Sequence, residues 1–141
     1  MIRILLVDDH KPLRAGLRAR IGEARDMMVV AEAENGREAV ELASRLRPDV
    51  IIMDISMPVL NGIDATRQIL AQQSGIKVLA LSMHFSRQMV LEALDAGAVG
   101  YLLEDCAGDE VITAILTVMK GQTYLSPMIT NSEIQPSVAL Q

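Results

Sequence analysis

The chain has 141 residues, half of them hydrophobic and 22% charged, which suits one packed domain and excludes a disordered chain. Aromatic residues make up only 2%, with no Trp, so the core must be built from Leu, Ile, Val, Met and Ala. A net charge of −5 without a Lys/Arg cluster argues against nucleic-acid binding by the domain's own surface, and the single Cys106 excludes an internal disulfide or a Cys-based zinc site.

The opening Met1-Ile2-Arg3 runs directly into a strand-like segment without a signal-peptide pattern. No apolar run approaches the ~20 residues of a membrane span, so a soluble, cytoplasmic domain is expected. Ile2–Val7 reads as the first strand and ends abruptly at Asp8-Asp9. Leu13, Leu17 and Ile21 recur at the spacing of one helix face. A second strand spans Met28–Ala33, and a helix entered at Asn35-Gly36 stops before Pro48. Asp49–Met53 is the third strand, apolar at nearly every position. A loop through Pro58 and Gly62 leads to a helix over Ile63–Gln72 and then to the strand Lys77–Ser82. A helix over Arg87–Ala96, the strand Val99–Leu103 and a helix over Asp109–Lys120 complete the series. Beyond Gly121 the periodicity fails, and Pro127, Asn131, Ser132, Pro136 and Ser137 read as linker or tail.

Strands that are apolar without alternation are buried on both faces, as in parallel sheets covered by helices. Five strands alternating with five helices therefore predict a doubly wound α/β fold with a parallel sheet in the order 2-1-3-4-5. In such a sheet, ligands bind beyond the carboxyl ends of the strands, where the strand order reverses. That crevice lies between the first and third strands, so Asp8, Asp9 and Asp54 are delivered to it together.

Unpaired, these carboxylates repel one another, and at least one pKa should rise. A hard divalent cation relieves the repulsion, and Mg²⁺ suits it because it needs few protein carboxylates. One carboxylate can then attack phosphorus. A lone acid at a strand end more often caps the next helix; three acids at one crevice are far more specific. Ser82 ends the neighbouring strand and is placed either to bond a phosphoryl oxygen on Asp54 or to cap the next helix. Tyr101 in the fifth strand is amphipathic, and its side is left open.

Taken together, LLVDDH at 5–10, DVIIMDISMPVLNGID at 49–64, VLALSMH at 78–84 and GAVGYLL at 97–103 resemble the receiver domain of bacterial two-component response regulators. The resemblance covers about residues 1–120 and is closest to the NarL/FixJ group, which joins a receiver to a helix-turn-helix DNA-binding domain. GQTYLSP at 121–127 looks like that group's passage into its linker. The expected organisation is a receiver of flavodoxin-like, CheY-like fold over 1–121 and a linker or tail over 122–141, with no output domain in the chain.

The resemblance implies that Asp54 accepts the phosphoryl group from a sensor histidine kinase or a small phosphodonor. It implies that Asp8, Asp9, Asp54 and the Ser56 backbone carbonyl hold Mg²⁺. Ser82 would reach toward the phosphoryl group, and Tyr101 would move inward with it. Ser56 and His84 would influence the lifetime of the aspartyl phosphate. DNA binding would come only through an output domain outside this chain, with no membrane contact.

One position departs from the pattern. The family carries a lysine directly after the GYLL strand, and here that residue is Glu104. Two unit charges about 4 Å apart interact by roughly 4 kcal/mol at an effective dielectric of about 20, an upper-end figure for an open crevice. The exchange therefore disfavours the phosphorylated state unless Glu104 turns away. The expectation is that Glu104 swings into solvent and leaves a weakened but working switch. Compensation by Lys11 and signalling without phosphorylation are the alternatives. A phosphohydrolase with Asp54 as nucleophile and a flavin-binding flavodoxin are further readings. The first is disfavoured by the short connections, the second by acids where a phosphate loop needs N–H groups.

Val111–Met119 is apolar except for two threonines, more than one sheet-facing stripe requires. The surplus on Ile112, Leu116 and Met119 points either to cover by the tail or to a partner surface, such as a homodimer contact.

Overall fold

The computed structural model describes residues 1–57 and 59–131. Its elements are β1 (Ile2–Val7), α1 (Lys11–Gly22), β2 (Met27–Ala33), α2 (Gly36–Leu46), β3 (Val50–Asp54) and α3 (Gly62–Gln72). They continue as β4 (Lys77–Ser82), α4 (Arg87–Asp95), β5 (Gly100–Leu103), α5 (Glu104–Met119), β6 (Tyr124–Leu125) and α6 (Pro127–Thr130). All strand pairs are parallel, in the order β2-β1-β3-β4-β5-β6.

The expected doubly wound fold and order are thus observed, with a short sixth strand added at the β5 edge. Strand residues alternate between two cores. Ile4, Leu6, Val50, Ile52, Leu79 and Leu81 pack under α1 and α5. Leu5, Val7, Ile51, Met53 and Val78 pack under α2 and α3. Both faces are apolar, which is why the strands show no period of two in the sequence. A third cluster joins Ala80, Tyr101 and Leu103 to α4 and to Ile129 of α6.

Three helices begin at a side-chain cap. Asn35, Asn61 and Ser86 each accept a hydrogen bond from the backbone N–H three residues on. The helices that follow β1 and β5 lack such a cap. α5 starts at Glu104, five residues before the expected start, so Glu104 and Asp105 occupy its first turn, where acids favour the helix dipole.

β6 and α6 extend the ordered fold past Gly121. Gly100 allows the β6 backbone to approach: a Cβ there would lie 2.6 Å from the Tyr124 carbonyl oxygen. The buried Ser126 accepts a hydrogen bond from the Leu103 N–H at 3.1 Å and donates one to Glu110 at 2.8 Å. Tyr124 also donates to Glu110, at 2.9 Å. Burial and then this acid push the Tyr124 hydroxyl up to about 12. On α5, Ile112 packs against the core, whereas Leu116 and Met119 stay exposed. The expected cover by the tail over 122–141 is not provided by its part up to residue 131, and its remainder lies outside the described residues.

Gly62 opens α3 against the end of β3, where an added Cβ would sit 2.1 Å from the Asp54 carbonyl oxygen. Gly62→Ala must therefore push α3 off the strand that carries Asp54. A loss of about 1–3 kcal/mol in stability is expected in urea denaturation.

Candidate functional site: an acidic crevice at the strand ends

The β1–β3 register pairs Val7 with Met53, so the next residues, Asp8 and Asp54, emerge side by side. In the β3–β4 register Asp54 lies opposite Leu81, which places Ser82 one step further out. β4 and β5 pair Ser82 with Leu103, so Glu104 follows at the same end of the sheet. Hydrogen-bond register alone thus brings residues from four strand ends to one rim.

Around them lies an open crevice of about 460 Å³ lined by Asp9, His10, Asp54, Ser56, Met83, His84 and Glu104. Asp8 and Asp54 are 2% and 5% exposed, whereas Asp9 stands exposed at the rim. One carboxylate oxygen from each of Asp8, Asp54 and Glu104 lies within 4.8 Å of the other two. Glu104 therefore does not swing into solvent. It is half-buried and turned toward the aspartates, because α5 begins at this residue and its first turn faces the crevice.

Few protein groups answer these charges. Asp8 Oδ1 accepts the His10 N–H at 2.6 Å, and Asp54 Oδ1 accepts the Ser56 N–H at 2.9 Å. Asp8 Oδ2 is buried with no hydrogen-bond partner among the described residues. Arg14 is committed elsewhere: it donates to the Asp8 backbone carbonyl and pairs with Glu32 at 2.8 Å. Lys11 is exposed and is not among the lining residues.

Burial raises Asp8 to about 6, with Glu104 and Asp9 adding to the rise and the His10 N–H opposing it. Burial likewise raises Asp54 to about 6, reinforced by Asp8 and Asp9 and opposed by the Ser56 N–H. Glu104 is raised by burial and then by Asp54. The rise expected in at least one of the strand-end aspartates is met at Asp8 and Asp54.

Ser82 is buried, and its hydroxyl accepts the His84 N–H at 3.2 Å. Tyr101 is fully buried and donates to the His84 carbonyl at 2.8 Å, so its side, open in the sequence, is the inner one. Burial raises the Tyr101 hydroxyl, with Ser82 pulling the other way. Both residues meet at the His84 backbone, a junction no sequence pattern announced. His10 and Met83 also line the crevice unforeseen; their place in the loops that leave β1 and β4 was the available signal.

An orphaned buried carboxylate oxygen, three acids within reach of one another and an all-oxygen donor set fit a hard divalent cation such as Mg²⁺.

Comparisons with known proteins agree with this architecture. The response regulator receiver domain family matches residues 4–116. The transcriptional regulatory protein DegU of Brevibacillus brevis is 40% identical over 134 residues, covering 95% of this chain and 57% of DegU. The response regulator UvrY of Escherichia coli (strain K12) is 38% identical, covering 96% of this chain and 64% of UvrY. A two-component response regulator of the LuxR family from Aurantimonas sp. SI85-9A1 superposes with a TM-score of 0.89 at 35% identity, over 99% of this chain and 98% of that one. The response regulator domain of Thermotoga maritima CheB gives 0.79 at 36%, over 85% of this chain and 97% of that one.

This chain belongs to the response regulator receiver family. It is similar to the receiver portion of transcriptional regulators of the NarL/LuxR kind, and it spans about three-fifths of the length of these curated relatives. Among the described residues, no helix is long and apolar enough to cross a membrane.

The raised carboxyls carry a stability signature. A native pKa of about 6 against an ordinary 3.8 means that the folded state binds protons more readily than the unfolded one. Stability without metal should therefore fall as pH rises from about 4 through about 6. Asp54→Asn removes one of the repelling charges, with an expected gain on the order of 1 kcal/mol, or about 4 °C in Tm, at pH 7.5. The gain should shrink below pH 5; melting curves across that range check it.

Proposed function

We propose that this domain is a phosphorylation-dependent signalling switch in which Asp54 accepts a phosphoryl group from a sensor histidine kinase. The observation behind the reading is the buried Asp8–Asp54 pair at the strand-order reversal, with Asp8 Oδ2 left without a partner. Asp8, Asp9, Asp54 and the Ser56 backbone carbonyl would hold Mg²⁺. When bound, the ion neutralises phosphoryl oxygens during transfer.

The protein's own residues do the rest. The Ser56 N–H fixes Asp54 Oδ1 and leaves Oδ2 to attack phosphorus. The new bond is Asp54 O–P; the P–N bond to the kinase imidazole breaks, and the imidazole departs with the electron pair and takes up a proton. Ser82 donates to a phosphoryl oxygen and gives up the His84 N–H. His84 then shifts, and because Tyr101 is bonded to its carbonyl, the change is carried to β5 and to the segment packed on it. Hydrolysis of the aspartyl phosphate resets the switch; steady turnover of substrate is not its task. Control of transcription and contact with DNA would belong to an output domain joined to residues 1–121 through the segment 122–141. The exposed part of α5, with Leu116 and Met119, would serve a homodimer or output-domain contact.

A second reading draws on the inward Glu104, which adds negative charge where a phosphoryl group must enter. In that case the domain acts by binding alone. With acetyl phosphate and Mg²⁺, intact-mass measurement should show slow uptake of one phosphoryl group by the chain as written. Glu104→Lys should take it up about tenfold faster or more, since one pKa-scale unit of charge stabilisation is worth that factor, and Asp54→Asn should take up none. Uptake by Glu104→Lys alone selects the binding module; uptake by neither ends the switch reading.

A further inference from the structure

We propose that Glu104 is itself a ligand of the divalent cation, so that its carboxylate joins those of Asp8 and Asp54 around the ion from a third strand end. The inference rests on the reading of this crevice as a cation site and adds a residue to it.

Two independent observations support it. The first is placement: carboxylate oxygens of Asp8, Asp54 and Glu104 lie within 4.8 Å of one another, close enough for one ion to span all three. The second is the orphaned Oδ2 of Asp8, on a side chain only 2% exposed. A buried carboxylate oxygen without a partner is costly, and a cation is the partner that three neighbouring acids call for.

The simpler role for Glu104 is to complement the α5 dipole from its first turn, worth about 0.3–1 kcal/mol. That role needs no approach to the aspartates, and Asp105 in the same turn already fills it from an exposed position. Among the described residues no ion pair holds Glu104. Its inward orientation brings like charges together and is explained by an ion between them. A further carboxylate raises the negative charge facing the ion, and in oxygen-ligand sites the count of charged ligands tunes affinity. The same ion would then offset the charge that Glu104 adds, which makes phosphoryl acceptance wholly dependent on it.

Titration calorimetry of the 141-residue chain with Mg²⁺ at pH 7.5 tests the assignment. Glu104→Gln keeps shape and removes charge at a half-buried helix start, so the fold is retained. Its Mg²⁺ Kd should rise on the order of tenfold, and that of Asp8→Asn at least as much. Equal or tighter binding by Glu104→Gln, with Asp8→Asn weakened, overturns the role of Glu104 and leaves the crevice as a cation site. Binding unchanged in both variants overturns the site as well.

Discussion

Three carboxylates meet at one end of a parallel sheet, and among the described residues no lysine or arginine lines their crevice, where only the His10 side chain eases the charge on Asp8 and Glu104. Backbone register enforces that meeting: once Val7 pairs with Met53 and Ser82 with Leu103, Asp8, Asp54 and Glu104 have nowhere else to emerge. The sheet is held by two aliphatic cores, which carry the cost of the repulsion in the crevice. Burial, reinforced by the like charges kept close, raises their pKa values and makes the site receptive to a cation. An arginine or lysine placed among them would relieve the strain; Arg14, half-buried on α1, is instead drawn to Glu32.

The crevice is linked to the opposite edge of the sheet by a short chain of bonded groups. Ser82 and Tyr101 both bond the backbone of His84, one to its N–H and the other to its carbonyl. Tyr101 packs in the same cluster as Ile129 of α6, and Ser126 pins the intervening strand to β5 through the Leu103 N–H. A displacement of Ser82 therefore has a short path to the segment after α5.

Much of this was legible in the sequence. Unbroken aliphatic strands signalled a two-sided parallel sheet, and the acids at the ends of β1 and β3 marked the crevice. What escaped was set by tertiary contact. β6 has two residues and no periodicity, and it exists because Gly100 allows its backbone in and Ser126 bonds β5. The α5 start was placed too late because Gly108 and Asp109 look like a helix entrance, whereas the acids at Glu104 and Asp105 already suit a first turn. Sequence specified the charge of Glu104 but not its direction, which depends on where α5 begins. The side of Tyr101 was undecidable for a similar reason: a residue with an apolar body and a polar tip needs a partner, and the His84 carbonyl supplies it.

The central claim is that Asp8 and Asp54 form one divalent-ion cradle at the strand-order reversal. Crystals of the chain soaked in Mn²⁺ would test it directly through an anomalous difference map. A single strong peak within bonding distance of both carboxylates is the expected result. A map with no peak there, or with the two side chains directed away from each other around solvent, would contradict the account.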